Sequence, residues 1–172
     1  MSSRARGANR TENANLTDEE KQLCDTALWK AMDGVMKVPR TNETWGLIHA
    51  DLRPSNVIRG NDGRLTVIDF DDAGYSWYLY DYASSLSFIE HEPYAPDLAK
   101  AWVKGYQRVA GSFTDEELRI MSALSMIRRM QMLGWTTSHR EDALPDGLAA
   151  QQAPGSVMCA KNYLEDPLWL LH

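Results

Sequence analysis

Residues 57–68 spell a β-hairpin with reactive side chains at both ends. Val57-Ile-Arg59 and Leu65-Thr-Val-Ile68 are short runs rich in β-branched residues, and Gly60-Asn-Asp-Gly63 between them supplies the turn. A hairpin returns its far end to its near end. Asp69, which follows the second run, is therefore predicted to lie beside Asn56, which precedes the first. Asp51 stands on the same side, across a tight loop containing Pro54. One amide oxygen with one or two carboxylates makes a hard-oxygen set. It suits Mg²⁺, which keeps its other positions for water and substrate phosphate. Asp51 is not needed as a ligand and can accept the proton of a substrate hydroxyl. Positioning a nucleophile and neutralising phosphate charge are the two tasks of phosphoryl transfer.

The remainder of the chain is patterned for helices. Thr17-Asp-Glu-Glu20 is a capping box, followed by Leu23, Ala27, Leu28, Ala31, Val35 and Met36, so a helix is predicted to run until shortly before Pro39. Gly46–Ala50 reads as a short buried strand or the entry to a loop. Residues 77–88 are predicted helical. Pro96 and Asp97 open a further helix that Gly111 ends. Thr114-Asp-Glu-Glu117 repeats the capping box and starts a long helix reaching about Trp135. Its methionines, Met121, Met126, Met130 and Met132, read as core, and Arg128-Arg129 as a solvated face. Residues 139–155 read as a loop, with two Pro and two Gly, and a short helix is expected over 156–164. Residues 1–15 read as a disordered tail. The predicted fold is α+β and mostly helical, with one small hairpin at the site.

Charge and composition narrow the function. A chain of 172 residues is about one domain. Its net charge of −6 argues against a nucleic-acid partner and against a polybasic membrane binder. No apolar run approaches the ~20 residues of a membrane span, and no secretory signal is visible. Cys24 and Cys159 have neither metal-ligand spacing nor the number needed for a disulfide framework. A cytoplasmic location is expected, in which the N-x-[ST] matches at Asn9, Asn15 and Asn42 carry no glycan. His91, His139 and His172 have no partner at ligand spacing.

His49-Ala-Asp51-Leu-Arg-Pro-Ser-Asn56-Val, then Val67-Ile-Asp69-Phe-Asp71-Asp72, then Trp77-Tyr-Leu-Tyr-Asp81 follow one another in order. The first two stretches match the kinase signature H-x-D-L-x-x-x-N and its later metal-binding Asp. With Asp-Phe-Asp in place of Asp-Phe-Gly, the set resembles the aminoglycoside phosphotransferase and choline-kinase-like family, in its homoserine-kinase and stress-response-kinase branch. The resemblance implies an ATP- and Mg²⁺-dependent transferase acting on a hydroxyl of a small molecule or a protein. It implies that Asp51 is the catalytic base and that Asn56 and Asp69 hold the metal and its nucleotide. Asp71 is then a further metal or water contact. His49 buttresses the catalytic loop, and Asp81 hydrogen-bonds that loop from a neighbouring helix. Ala50 and Ser55 stand where many members carry Gly.

The resemblance covers residues 17–172 and only the C-terminal lobe of a protein-kinase-like fold. The β-rich N-lobe, with its Gly-rich loop and strand Lys, is expected to be absent. Residues 16–172 are then a C-lobe, acting as the catalytic half of a kinase or as a non-catalytic kinase-like binding module. Either way, a partner chain carrying the N-lobe, or self-association through exposed Leu47, Val57, Tyr75, Trp77 and Tyr78, is expected.

Overall fold

The computed structural model describes residues 15–138 and 146–172. The tail expected over 1–15 lies outside the described residues except for Asn15, and so does His139. The elements are α1 (Asp18–Met36), β1 (Trp45–Ile48), β2 (Val57–Arg59), β3 (Leu65–Val67), β4 (Gly74–Trp77), α2 (Tyr80–Ser85), α3 (Ala95–Ala110), α4 (Asp115–Ser138) and α5 (Asp146–Glu165). A single 3₁₀ turn, Pro54–Asn56, precedes β2. The architecture is mostly helical, with two antiparallel two-stranded sheets, β1–β4 and β2–β3.

Both capping boxes form. Thr17 Oγ1 accepts from Glu20 N at 3.2 Å, and Thr17 N donates to Glu20 Oε2 at 2.8 Å. Thr114 and Glu117 repeat the exchange at 3.2 and 2.7 Å. Each pair satisfies amide groups that the first helical turn leaves without partners. Gly111, at φ +88°, ends α3 in a conformation that costs glycine little.

The core is built where α1, α4 and α5 meet. α1 contributes Cys24, Ala27, Leu28, Ala31 and Val35; α4 contributes Leu124, Met126, Met130 and Leu133; α5 contributes Ala160 and Tyr163. Small residues on α1 let α4 approach closely, and the flexible methionines fill the remaining gaps. Met121 joins a second cluster with Tyr82, Leu86 and Ala99, under α2 and α3. Met132 is only half-buried.

Three expectations need correction. Residues 77–88 are not one helix: β4 ends at Trp77 and α2 covers only Tyr80–Ser85. The aromatic run is divided because Gly74–Trp77 pairs with β1 in the register Trp45↔Trp77 to Ile48↔Gly74. The loop expected over 139–155 gives way to helix from Asp146, and α5 continues through Pro154 to Glu165. The third correction concerns Arg128 and Arg129. They do not face solvent; they are 8% and 0% exposed.

Candidate active site

The expected hairpin forms, in the register Val57↔Val67 to Arg59↔Leu65. Ile68 N donates to Asn56 O at 3.0 Å, so the end of β3 lies against the start of β2. Asp69 follows immediately, with a left-handed backbone at φ +65°, and it is exposed, as are Asp71 and Asp72. Asn56 is buried at the other end of the pair.

Asp51 is buried, and its carboxylate is occupied from several sides. Asn56 Nδ2 donates to Asp51 Oδ2 at 3.1 Å and to the Asp51 carbonyl at 2.9 Å. Both partners only accept, which fixes the amide with its nitrogen toward Asp51 and leaves its oxygen as a free acceptor end. Arg53 Nε donates to Oδ2 at 3.0 Å, and Arg128 Nη2 donates to Oδ1 at 2.6 Å. Arg53 also lies over the ring of Phe88, 5.6 Å from its centroid. Phe88 itself has φ +74°, a strained setting for an aromatic residue.

The loop beneath Asp51 is pinned by backbone contacts. His49 N and Ala50 N donate to the two oxygens of Asp81, at 3.0 and 2.8 Å. Leu52 N donates to Ser84 Oγ at 2.9 Å. Asp51 N donates to His49 Nδ1 at 3.3 Å, while His49 Nε2 meets the Ile68 carbonyl at 2.9 Å. A backbone N–H only donates and a carbonyl only accepts, so the imidazole is the neutral tautomer protonated at Nε2. His49 thereby ties the loop carrying Asp51 to the end of β3, just before Asp69.

Among the described residues no group of three or more His, Cys, Asp or Glu gathers at metal-ligand spacing. The amide oxygen of Asn56 and the carboxylate of Asp69 are nonetheless both hard oxygens, at adjoining ends of one hairpin. Mg²⁺ commonly takes only one or two protein carboxylates and fills its octahedron with water and phosphate. The residues fit such an ion.

A cavity of about 340 Å³ opens beside the loop, lined by Ile48, Ala50, Asp72, Tyr75, Tyr80 and Gln131 among others. A larger one, about 470 Å³, lies between the end of α1 and the α3–α4 turn and contains none of the candidate site residues. The smaller one contains none of them either; it reaches the loop through Ala50, next to Asp51, and through Asp72, next to Asp71.

Sequence reasoning missed Arg53, Arg128, Tyr80, Ser84 and Ser87. Arg53 was open to detection, being two residues from Asp51 in the same loop. The others act across long separations.

Residues 3–120 match the model of the phosphotransferase enzyme family, APH. Over 65 residues the chain is 34% identical to amicoumacin kinase of Bacillus subtilis (strain 168), covering 38% of this chain and 19% of that protein. A solved microcompartment-associated aminopropanol kinase superposes with a TM-score of 0.81 at 28% identity, over 97% of this chain and 52% of that one. Amicoumacin kinase hAmiN, solved with AMP-PNP, Ca²⁺ and Ami, superposes with a TM-score of 0.62 at 20% identity, over 88% of this chain and 48% of that one. The chain thus spans about half the length of the solved kinases it resembles, and its fold is that of the corresponding part of a kinase-like protein.

Proposed function

The chain belongs to the phosphotransferase enzyme family, and from that premise we propose that it moves the terminal phosphoryl group of ATP to a hydroxyl of a small molecule. The observation that carries this is the hydrogen-bonded pair Asp51–Asn56 at the mouth of a hairpin whose other end delivers Asp69. Asp51 accepts the hydroxyl proton as the oxygen attacks phosphorus. Asn56 and Asp69 would hold Mg²⁺, with Asp71 as a further metal or water contact, and the ion would supply neutralisation of phosphate charge. His49 and Asp81 hold the loop in the shape that aims Asp51. A small acceptor is favoured over a protein Ser or Thr by the likeness to an aminopropanol kinase, at 28% identity over 97% of this chain.

The solved kinases are about twice as long as this chain, and an N-terminal half that completes the nucleotide cleft is part of the proposal. The test is phosphoryl transfer from ATP to a panel of small amino alcohols and neutral alcohols. The chain is assayed by itself and with the N-terminal half of a relative supplied. Transfer lost in Asp51→Asn supports the assignment. An Asp51→Asn variant as active as wild type rejects it.

A second reading is favoured by one observation: Leu47, Leu65, Phe70 and Tyr75 are 66%, 67%, 59% and 74% exposed on the two small sheets and the link between them. Such a face suits a partner chain or a second copy. Sedimentation of a monomer at high concentration, with no hydrophobic-dye binding, rejects that reading.

A further inference from the structure

An aspartate in a loop turns about two side-chain bonds, and a misplacement of about 1 Å can cost about 100-fold in rate. Something must therefore select one orientation of the Asp51 carboxylate. Arg53 and Asn56 share its loop and both take Oδ2. Oδ1 is taken by Arg128, which arrives from α4, 77 residues further along the chain, at 2.6 Å.

The guanidinium of Arg128 is fixed at each of its nitrogens. Nε donates to Ser87 Oγ at 2.9 Å, Nη1 donates to Tyr80 Oη at 3.4 Å, and Nη2 takes Asp51. Tyr80 in turn donates its hydroxyl to Gln131 Oε1 at 2.6 Å. A planar fork with three separate partners has one low-energy pose. The side chains of Arg128 and Asp51 are each 10% exposed, so little water competes for the pair.

We infer that Arg128 is a positioning residue of the phosphotransferase site: it selects the Asp51 rotamer before substrate arrives and does so without itself touching substrate. The inference rests on Asp51 being the base. Tyr80 acts one step behind, by orienting Arg128. Lysine is an incomplete substitute, because one ammonium cannot meet Asp51, Ser87 and Tyr80 in a single plane.

Two measurements on the full chain test this. The first maps carboxyl labelling by a water-soluble carbodiimide and glycinamide, read by mass spectrometry. In Arg128→Gln the labelling of Asp51 rises about tenfold, the scale of one lost charge-assisted hydrogen bond. Labelling in Arg128→Lys falls between Arg128→Gln and wild type. Glu90, buried against Arg129, stays unlabelled and reports that the fold is intact. The second is transfer kinetics. Arg128→Gln lowers kcat about 100-fold with KM for ATP nearly unchanged, Arg128→Lys recovers part, and Tyr80→Phe loses less. Loss of a guanidinium that only packed the core would lower the melting temperature and leave the Asp51 labelling and the kcat of folded protein unchanged.

Equal Asp51 labelling in wild type and Arg128→Gln overturns the inference, and so does an unchanged kcat. If wild type transfers no phosphate in any arrangement, the proposed function falls, and the labelling arm alone decides the role of Arg128. If Glu90 becomes labelled in Arg128→Gln, the fold has opened and Tyr80→Phe carries the test. Unchanged Asp51 labelling in that variant then overturns it.

Discussion

Ala50 donates its backbone N–H to Asp81 Oδ1 at 2.8 Å while holding a left-handed backbone at φ +65°. With the neighbouring His49 N–H on Oδ2, Asp81 forces the loop into a conformation that an L-residue adopts only at a cost. The loop that carries Asp51 is therefore shaped by a carboxylate that lies 31 residues further along the chain.

Replacing Ala50 with glycine removes that cost. Ala50→Gly is expected to raise unfolding stability by about 0.5–1 kcal/mol, the steric gain less the extra chain entropy of glycine. Asp81→Ala removes two charge-assisted hydrogen bonds and is expected to lower it by about 3 kcal/mol. Urea unfolding checks both signs, and a stabilising Asp81→Ala would contradict the account of the loop.

Divalent binding should depend on Asp69. Calorimetry with Mg²⁺ or Mn²⁺ is expected to show weak binding to the wild-type chain and none to Asp69→Ala. The backbone at Asp69 is left-handed, so Asp69→Asn, which tolerates that conformation, separates loss of charge from loss of loop shape. Equal affinity in wild type and Asp69→Ala would remove the metal assignment.

Arg129 is the larger structural liability. Its guanidinium meets Glu90 at 2.8 Å, Ser156 at 2.9 Å and the Gln152 carbonyl at 3.0 Å, and both charged side chains are fully buried. Arg129→Met leaves Glu90 buried without its cation and should cost about 3–5 kcal/mol; Arg129→Met with Glu90→Leu should cost less. Gly155 makes room for this group. A methyl there would stand 2.6 Å from Arg129 Nη2 and 2.7 Å from His91 Cγ. Gly155→Ala should therefore lower the melting temperature, although alanine is the better helix former. A higher melting temperature would show that the pocket around Arg129 yields.

Alkaline stability should carry the mark of two thiols. Cys24 and Cys159 are fully buried. Burial pushes the Cys24 thiol up to about 11, helped by Asp25 and Glu20, and the Cys159 thiol up to about 12. Their ordinary value is 9.0. Below that value both states keep the proton and stability does not depend on these groups. Above it the unfolded chain releases protons that the folded chain retains, so stability falls as pH rises toward about 11–12. The urea midpoint of wild type should drop more steeply across this window than that of Cys24→Ala/Cys159→Ala. Parallel slopes would refute the thiol contribution.

What the chain disclosed in advance was local. The hairpin over 57–68, both capping boxes and the Asp51–Asn56 spacing depend on neighbours a few residues apart, and each is present. The β1–β4 pairing joins runs about thirty residues apart with no turn between them to announce it, so the strand Gly74–Trp77 went unread and its last residue, Trp77, passed for the start of a helix. α5 was foreshortened because Pro154 and Gly155 usually mark loops; here the absent Cβ of Gly155 accommodates Arg129 and His91. Arg128 and Arg129 were assigned to water because charged residues on a helix usually face it. The contrary sign was present: Arg128 follows Leu124 by one turn, and Arg129 sits between Met126 and Leu133, all of them core positions. Only their partners, Asp51 and Glu90, were beyond the reach of local pattern.

The adjacency of Arg128 and Arg129 also orders events at the ribosome. Asp51 and its hairpin are synthesised well before α4, and domains assemble as their parts emerge. Until residue 128 is made, the Asp51 carboxylate has no distant cation and stays hydrated. Until residues 152–156 are made, Arg129 lacks the Ser156 and Gln152 groups that seat it beside its neighbour. The nascent chain therefore carries the residues of the Asp51 loop before the cations that balance Asp51 and Glu90 have partners to meet. Loss of residues 152–156 would therefore unseat Arg129 while leaving each hydrogen-bond partner of Arg128 in place, so the two neighbouring arginines would fail separately.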